Sequence, residues 1–162
     1  MELFIGFFVL ALLLIPYKIE TQIMLDASQK EVMTVLKNFE NYEKWNPFIV
    51  DVKGEFKVNS LLKVKLNMDN KIMYISPKII EIQENIFCWR GVLGIRYIFD
   101  GIHCFKIESM PKNRTLFTHT EHFQGLLVWV MFPMLLKTKK RFELMNNALR
   151  HTLECEIKKE NE

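Results

Sequence analysis

The chain is poor in the residues from which several familiar kinds of site are built. Its three cysteines, Cys88, Cys104 and Cys155, form no Cys-x-x-Cys pair and no zinc-like spacing. So sparse and odd a set predicts free thiols in a reducing compartment. Six glycines in 162 residues supply neither a phosphate-cradling loop nor a dinucleotide fingerprint, and no nucleophile motif is present. Repeats, Gly/Ser-rich linkers and low-complexity tracts are missing. The net charge of +3 is too small to imply a nucleic-acid partner, and no basic strip is interleaved with aromatics.

What the chain does have is apolar and aromatic. Hydrophobic residues make up 49% and charged residues 25%, the balance of a folded domain, and the length allows one domain with a well-buried core. Thirteen phenylalanines suit a roomy aromatic interior or an ordinary core. Residues 3–15 are an unbroken run of apolar residues and one glycine, followed by Pro16, Tyr17 and Lys18. A helix over that run reaches about 20 Å, and over residues 1–17 about 25 Å, against roughly 30 Å of bilayer hydrocarbon. The shortfall is workable in a thinned bilayer. Glu2 and the lack of an Ala-x-Ala site argue against a cleaved signal peptide. The reading is therefore a retained single-pass membrane anchor, a hydrophobic helix over residues 1–17. The domain of residues 18–162 is placed on the cytoplasmic side by the positive flank. A buried or interfacial helix is the alternative.

Beyond the anchor, residues 18–25 read as a strand. Ser28 and Glu31 form a capping-box signature ahead of Val32, Val35, Leu36 and Phe39 at helical spacing. Pro47 forbids Asn46 the helical region. Strand-like runs follow at 48–52, 61–68, 72–83 and 86–92, the third interrupted by Pro77, which favours an edge position or a bulge. Residues 97–108 and 114–123 form a hairpin across 109–113. A final helix carries Phe142, Met145, Leu149 and Leu153 along one stripe.

The segment over residues 115–125 says most about chemistry. A strand sends alternate side chains to opposite faces, so Thr115, Phe117, His119, Glu121 and Phe123 share one face. A core strand does not normally carry a carboxylate there, because burying an unpaired charge is costly. Either a hydrogen-bond network satisfies Glu121, or the strand lines a cavity with a polar patch on its wall. If residues 88–89 and 103–104 lie on antiparallel neighbours turning near Arg96, Trp89 faces His103 inside and Cys88 faces Cys104 outside, as adjacent but reduced thiols. The next hairpin brings His103 near His119 or Glu121. Trp89, His103, Phe105, Phe117, His119, Glu121 and Phe123 thus become the candidate ligand-binding set. His119 and Glu121 are the candidates for general acid/base work. No metal site and no cofactor is expected, since no local ligand spacing supports one.

Residues 126–136 are eleven successive apolar residues, including Trp129 and Phe132, and Lys137, Lys139, Lys140 and Arg141 follow at once. That is more than one buried helix face needs. An apolar segment with tryptophan and then a basic cluster suits a membrane interface. The plainer alternative is the start of the final helix.

Residues 38–49, Asn-Phe-Glu-Asn-Tyr-Glu-Lys-Trp-Asn-Pro-Phe-Ile, resemble the Phe-x-x-Tyr-x-x-Trp-Asn-Pro-Phe segment of the START-like superfamily, also called SRPBCC or Bet v 1-like helix-grip proteins. Residues 88–91, 100–105 and 115–125 look like later signatures of its polyketide cyclase/dehydrase-like branch. The similarity spans about residues 19–155. It implies an α+β helix-grip fold, in which a curved antiparallel sheet wraps around a long C-terminal helix and encloses an apolar cavity. Relatives bind lipids, quinones, hormones or polyketides there, and only some catalyse. The resulting expectation is a membrane-tethered binding or transfer module for a hydrophobic small molecule: a lipid, an isoprenoid or a polyketide-like compound. The alternatives are a polyketide cyclase/dehydratase-type enzyme using His119 and Glu121, and an interaction module with a vestigial cavity. Trp45 reads as a core plug or as part of the cavity rim.

Overall fold

Alternation of apolar and polar side chains from Tyr17 onward produces the first strand of the computed structural model, which describes residues 15–69 and 71–160. In this strand, β1 (Tyr17–Leu25), Ile19, Thr21 and Leu25 are buried while Lys18, Glu20 and Gln22 face solvent. The predicted capping box opens α1 (Gln29–Lys37): the Glu31 N–H donates to the Ser28 hydroxyl at 3.3 Å, and the Ser28 N–H donates to the Glu31 carboxylate at 2.6 Å. Those two bonds hold the Glu31 carboxyl below its usual range. Phe39 does not extend α1. It enters a 3₁₀ turn (Phe39–Asn41), and the short α2 (Tyr42–Trp45) ends at Asn46, kept extended by Pro47.

Two antiparallel sheets follow. β2 (Ile49–Lys53), β3 (Lys63–Asn67) and β4 (Ile72–Ile75) make a 3-stranded sheet in chain order. β5 (Lys78–Ile82), β6 (Ile86–Val92), β7 (Asp100–Met110) and β8 (Arg114–Gln124) join β1 in a 5-stranded sheet of order β1-β8-β7-β6-β5. The run at 72–83, read as one interrupted strand, is thus two strands in two sheets. Pro77 has no N–H to continue a ladder, and the chain changes partner there. Residues 59–62 carry the curvature across the gap: Asn59 N–H donates to Ile79 O at 2.9 Å, Ile79 N–H to Ser60 O at 3.0 Å and Leu62 N–H to Pro77 O at 2.8 Å. The strand expected from Tyr97 begins only at Asp100, because Tyr97 has a φ of 71° and cannot be extended.

A short α3 (Phe132–Leu135) leads into the long α4 (Thr138–Glu160). The predicted stripe of Phe142, Met145, Leu149 and Leu153 is buried, and α4 packs on β1 and α1. Curved antiparallel sheet and long C-terminal helix together give the helix-grip arrangement. The N-terminal hydrophobic helix expected over residues 1–17 lies, as far as residue 14, outside the described residues. Among the described residues no helix is long and apolar enough to cross a membrane.

The strand count is matched pair for pair: Trp89 lies opposite His103, and Cys88 opposite Cys104. The free-thiol expectation for those two cysteines is corrected, because their sulfurs are bonded across Cα atoms 4.2 Å apart. Sparse cysteine content says nothing about register, and register is what brings these thiols into reach. Cys155 is free and exposed.

Candidate functional site

β7 and β8 are 11 residues each and pair along their whole length, which fixes every side chain on their shared inner face. His103 lies opposite Glu121, Phe105 opposite His119, and Gly101 opposite Phe123. The predicted alternation places Thr115, Phe117, His119 and Phe123 in the core, and Glu121 on the same face with 17% of its side chain exposed. Trp89, His103, Phe105, Phe117, His119 and Phe123 are all buried.

Their polar atoms form a single chain of hydrogen-bonded groups. Glu121 Oε2 lies 3.4 Å from His103 Nδ1, the loosest link. His103 Nε2 lies 2.8 Å from His119 Nε2. His119 Nδ1 lies 3.1 Å from Asn146 Oδ1 on α4, and Asn146 Nδ2 donates to Thr21 Oγ1 on β1 at 2.9 Å. Aromatic rings close this chain on both sides. His119 lies flat on Phe142, with centroids 3.6 Å apart and planes 7° from parallel. His103 stacks on Trp89 at 5.0 Å, and Phe105 stands edge-on to it at 4.7 Å. Gly101 makes room for the exposed end, since a Cβ there would lie 2.6 Å from Glu121 Oε1.

Burial, and then the neighbouring His103, hold the His119 pKa well below the ordinary 6.5, with the Asn146 hydrogen bond opposing them. His119 is therefore neutral in the folded chain. The linkage has a definite sign. The unfolded chain binds a proton that the folded one refuses, so this contribution to stability is complete above 6.5 and is lost as the pH falls below that value.

The structure thus brings the candidate set together, and ranks it by access. Glu121 is the member a solute reaches first; His119 communicates with it through His103. Between the sheet and α4 the space beside the histidines is filled by Phe105, Phe117 and Phe142. Two of the open clefts among the described residues lie elsewhere, and neither is lined by the candidate residues. One, of about 720 Å³, lies over β2 beside Glu40, Glu43 and Lys65. The other, of about 530 Å³, runs between α2 and α4 beside Asn38, Trp45, Ala148 and Thr152. Trp45 is half-buried, edge-on to Tyr42 at 5.2 Å.

Sequence reasoning missed Asn146 and Thr21. A signal existed: Asn146 lies four residues after Phe142 and three before Leu149, inside the apolar stripe of α4, and Thr21 is the polar member of the inner face of β1.

The membrane-docking set divides. Trp129 is exposed and Phe132 half-buried, their rings packed against Tyr17 at 6.4 and 5.2 Å. Lys137, Lys139 and Lys140 are exposed. Arg141 is corrected: it is buried, and its Nη2 meets Asp69 Oδ2 at 2.7 Å, so it ties α4 to the turn after β3 and is not a free surface cation. A second loop, 93–99, joins this end. Leu126 N–H donates to Tyr97 O at 3.1 Å and Leu127 N–H to Ile98 O at 2.9 Å. Gly125 allows that approach, at a φ of 122°, where a Cβ would lie 2.6 Å from Ile98 O. Val92, Leu93, Ile95 and Tyr97 are exposed, as are Val130 and Leu136.

No family model matches the chain. No curated protein sequence matches it either. Solved structures do match. The Zhui aromatase/cyclase from Streptomyces sp. R1128 superposes with a TM-score of 0.73 at 13% identity, covering 88% of this chain and 96% of that one. A point mutant of norcoclaurine synthase from Thalictrum flavum, in complex with a transition state analogue, gives 0.68 at 12% identity, covering 86% and 95%. A START superfamily protein from Mycobacterium smegmatis gives 0.68 at 17% identity, covering 85% and 97%. The chain therefore has the Bet v 1-like, START-like helix-grip fold that residues 38–49 and the later segments suggested.

Proposed function

We propose that this chain is a membrane-associated binding module for a hydrophobic small molecule, a lipid, isoprenoid or polyketide-like compound whose polar group meets Glu121. The observation that carries the reading is the inner face of β6–β8: an aromatic wall of Trp89, Phe105, Phe117 and Phe123 interrupted by one partly exposed carboxylate. Apolar walls with a few convergent polar groups are what small-molecule sites are made of. The fold is in keeping with this, since one neighbour is named as an aromatase/cyclase and another holds a transition state analogue. The ligand enters at the Glu121 end and displaces rings that otherwise fill the interior.

Membrane association is supported by the exposed apolar end formed by loops 93–99 and 126–131, by Lys137, Lys139 and Lys140 after it, and by the apolar run of residues 3–15 that precedes Tyr17 in the sequence. The positive flank at Lys18 supports a cytoplasmic domain. The Cys88–Cys104 bond weighs against that side, because such bonds persist where the surroundings are oxidising.

A second reading, acid/base catalysis of a cyclisation or dehydration, is favoured by the coupling of Glu121 to two imidazoles. One variant separates the readings. Glu121→Gln is expected to keep the fold and to weaken retention of a lipid or other apolar compound that co-purifies with the unsubstituted chain by roughly 1–3 kcal/mol, measured by native mass spectrometry of the detergent-extracted chain. Collapse of turnover with retained affinity would instead favour catalysis. A lower melting temperature with unchanged retention would reduce Glu121 to a structural partner.

A further inference from the structure

The hydrogen-bonded chain from Glu121 to Thr21 can be satisfied in two ways, and they differ by one proton. In the first, the amide of Asn146 points its oxygen at His119, as placed here with Nδ2 on Thr21. His119 Nδ1 then carries the proton, its Nε2 is bare, and His103 must donate from Nε2 across the 2.8 Å link. The remaining link at 3.4 Å needs one more proton, held as imidazolium on His103 or as the carboxylic acid of Glu121. In the second, the amide is rotated by half a turn. Its NH₂ donates to His119 Nδ1, His119 donates from Nε2 to His103, and His103 donates from Nδ1 to a charged Glu121. Thr21 serves both arrangements, because a hydroxyl accepts from the amide nitrogen or donates to the amide oxygen. Two protonated Nε2 atoms cannot face one another at 2.8 Å. Charging His103 therefore forces the whole chain into the first arrangement.

We propose that Asn146, braced by Thr21, is a positioning residue whose amide can satisfy either tautomer of His119, so that this tautomer follows the charge at the Glu121–His103 end and the site is a one-proton switch. With the amide nitrogen toward His119, Glu121 meets a ligand as a charged acceptor, fit for a hydroxyl or amine. With the amide oxygen toward His119, the end is a neutral acid pair, fit for a carbonyl. The inference rests on the proposed ligand reading only for that consequence; the switch itself stands on the geometry.

Few other charges can compete. The walls supplied by β6, β7, β8 and α4 are Trp89, Phe105, Phe117 and Phe142, none of them ionisable. Arg90, Asp100 and His122 fall on the outer face of their strands by alternation. Lys18 and Glu20 of β1 pair with each other at 2.6 Å, and Arg141 of α4 pairs with Asp69. Glu143 is exposed and Arg150 bonds Asn147. The depressed basicity of His119 agrees with a ring that changes tautomer and never charges.

Histidine-selective ¹⁵N NMR of the full chain in detergent micelles, titrated from about pH 5 to about pH 9, reads the tautomers directly. The expected result is a His119 that is neutral throughout, with its proton on Nε2 at the alkaline end and on Nδ1 at the acid end. The inversion should go from about a tenth to about nine-tenths over roughly two pH units, in step with a change at His103. In Asn146→Asp, whose carboxylate can only accept, His119 should keep its proton on Nδ1 across the whole range, and the inversion should disappear. A single His119 tautomer across the range in the unsubstituted chain would overturn the proposal, whether or not the aspartate variant folds. An imidazolium signal from His119 would overturn it too. Neither outcome touches the ligand reading, which fails separately if Glu121→Gln leaves ligand retention unchanged.

Discussion

β8 and the residues that follow it lie end to end in the chain and are environmental opposites. β8 brings His119 and Glu121 to the inner face of the sheet, where His119 has no exposed surface at all. The next stretch is apolar, yet Trp129, Val130 and Leu136 are exposed, beside Leu93, Ile95 and Tyr97 of the neighbouring loop. Polarity is buried where apolar residues would be expected, and apolar surface is exposed where polar residues would be expected. Each inversion costs stability and so points to a use. A buried polar group is tolerable only when its hydrogen bonds are made, which the chain from Glu121 to Thr21 supplies. An exposed apolar patch is tolerable when something else covers it, and a bilayer fits the adjoining lysines.

The comparison breaks most readily at its buried half. His119→Ala removes a ring stacked at 3.6 Å on Phe142 and leaves His103 Nε2 and Asn146 Oδ1 without their partner. Cavity and lost hydrogen bonds together should lower stability by about 3–5 kcal/mol, read from chemical denaturation. A loss below about 1 kcal/mol would mean that the polar chain is incidental to the core.

How much of this was legible follows from which interactions are local. The alternation of β8 and the pairing of Trp89 with His103 come from a period of two and a hairpin count, so they can be read without coordinates. The Ser28–Glu31 cap is a contact between residues three apart, and equally readable. Pro77 announced a break, but which sheet each half would join depends on partners far along the chain. The roles of Asn146 and Arg141 depend on the rotation of α4 about its axis. An apolar stripe marks that rotation only to within a residue or so, which is why a surface cation was expected where a buried guanidinium meets a largely exposed carboxylate. The Cys88–Cys104 bond needed the register, which was in hand, and a chemical environment, which sequence composition does not fix.

At the exposed half, Lys137, Lys139 and Lys140 should act on binding and not on folding. Replacing all of them with Gln should weaken binding to anionic vesicles by about 3 kcal/mol, at about 1 kcal/mol each, with the same loss at high salt. Arg141→Gln should do the reverse, destabilising the fold by removing the tie between α4 and the turn after β3 while altering vesicle binding little. Vesicle sedimentation paired with thermal melting measures both. Equal vesicle binding by the lysine variant would remove the electrostatic part of the docking reading.

The smallest expected effect sharpens the comparison furthest. Ile95 and Val130 are 72% and 68% exposed, so their apolar surface contributes little to the folded state. Ile95→Ser and Val130→Ser should therefore change stability by no more than about 0.5 kcal/mol, the range of surface substitutions remote from special features. Covered by lipid, however, each side chain loses the water it now contacts. Burying an aliphatic side chain fully is worth about 1.5–3 kcal/mol, so partial insertion should make each substitution cost about 1 kcal/mol of vesicle affinity. The informative quantity is the difference between the two measurements on one protein. A residue of the core would lose stability first, and a residue of the membrane face would lose binding alone. If both substitutions leave vesicle binding intact, the exposed end is not what meets the bilayer. If both lower the melting temperature well beyond that range, the loops are packed more tightly than their exposure shows, and the contrast between the two halves dissolves.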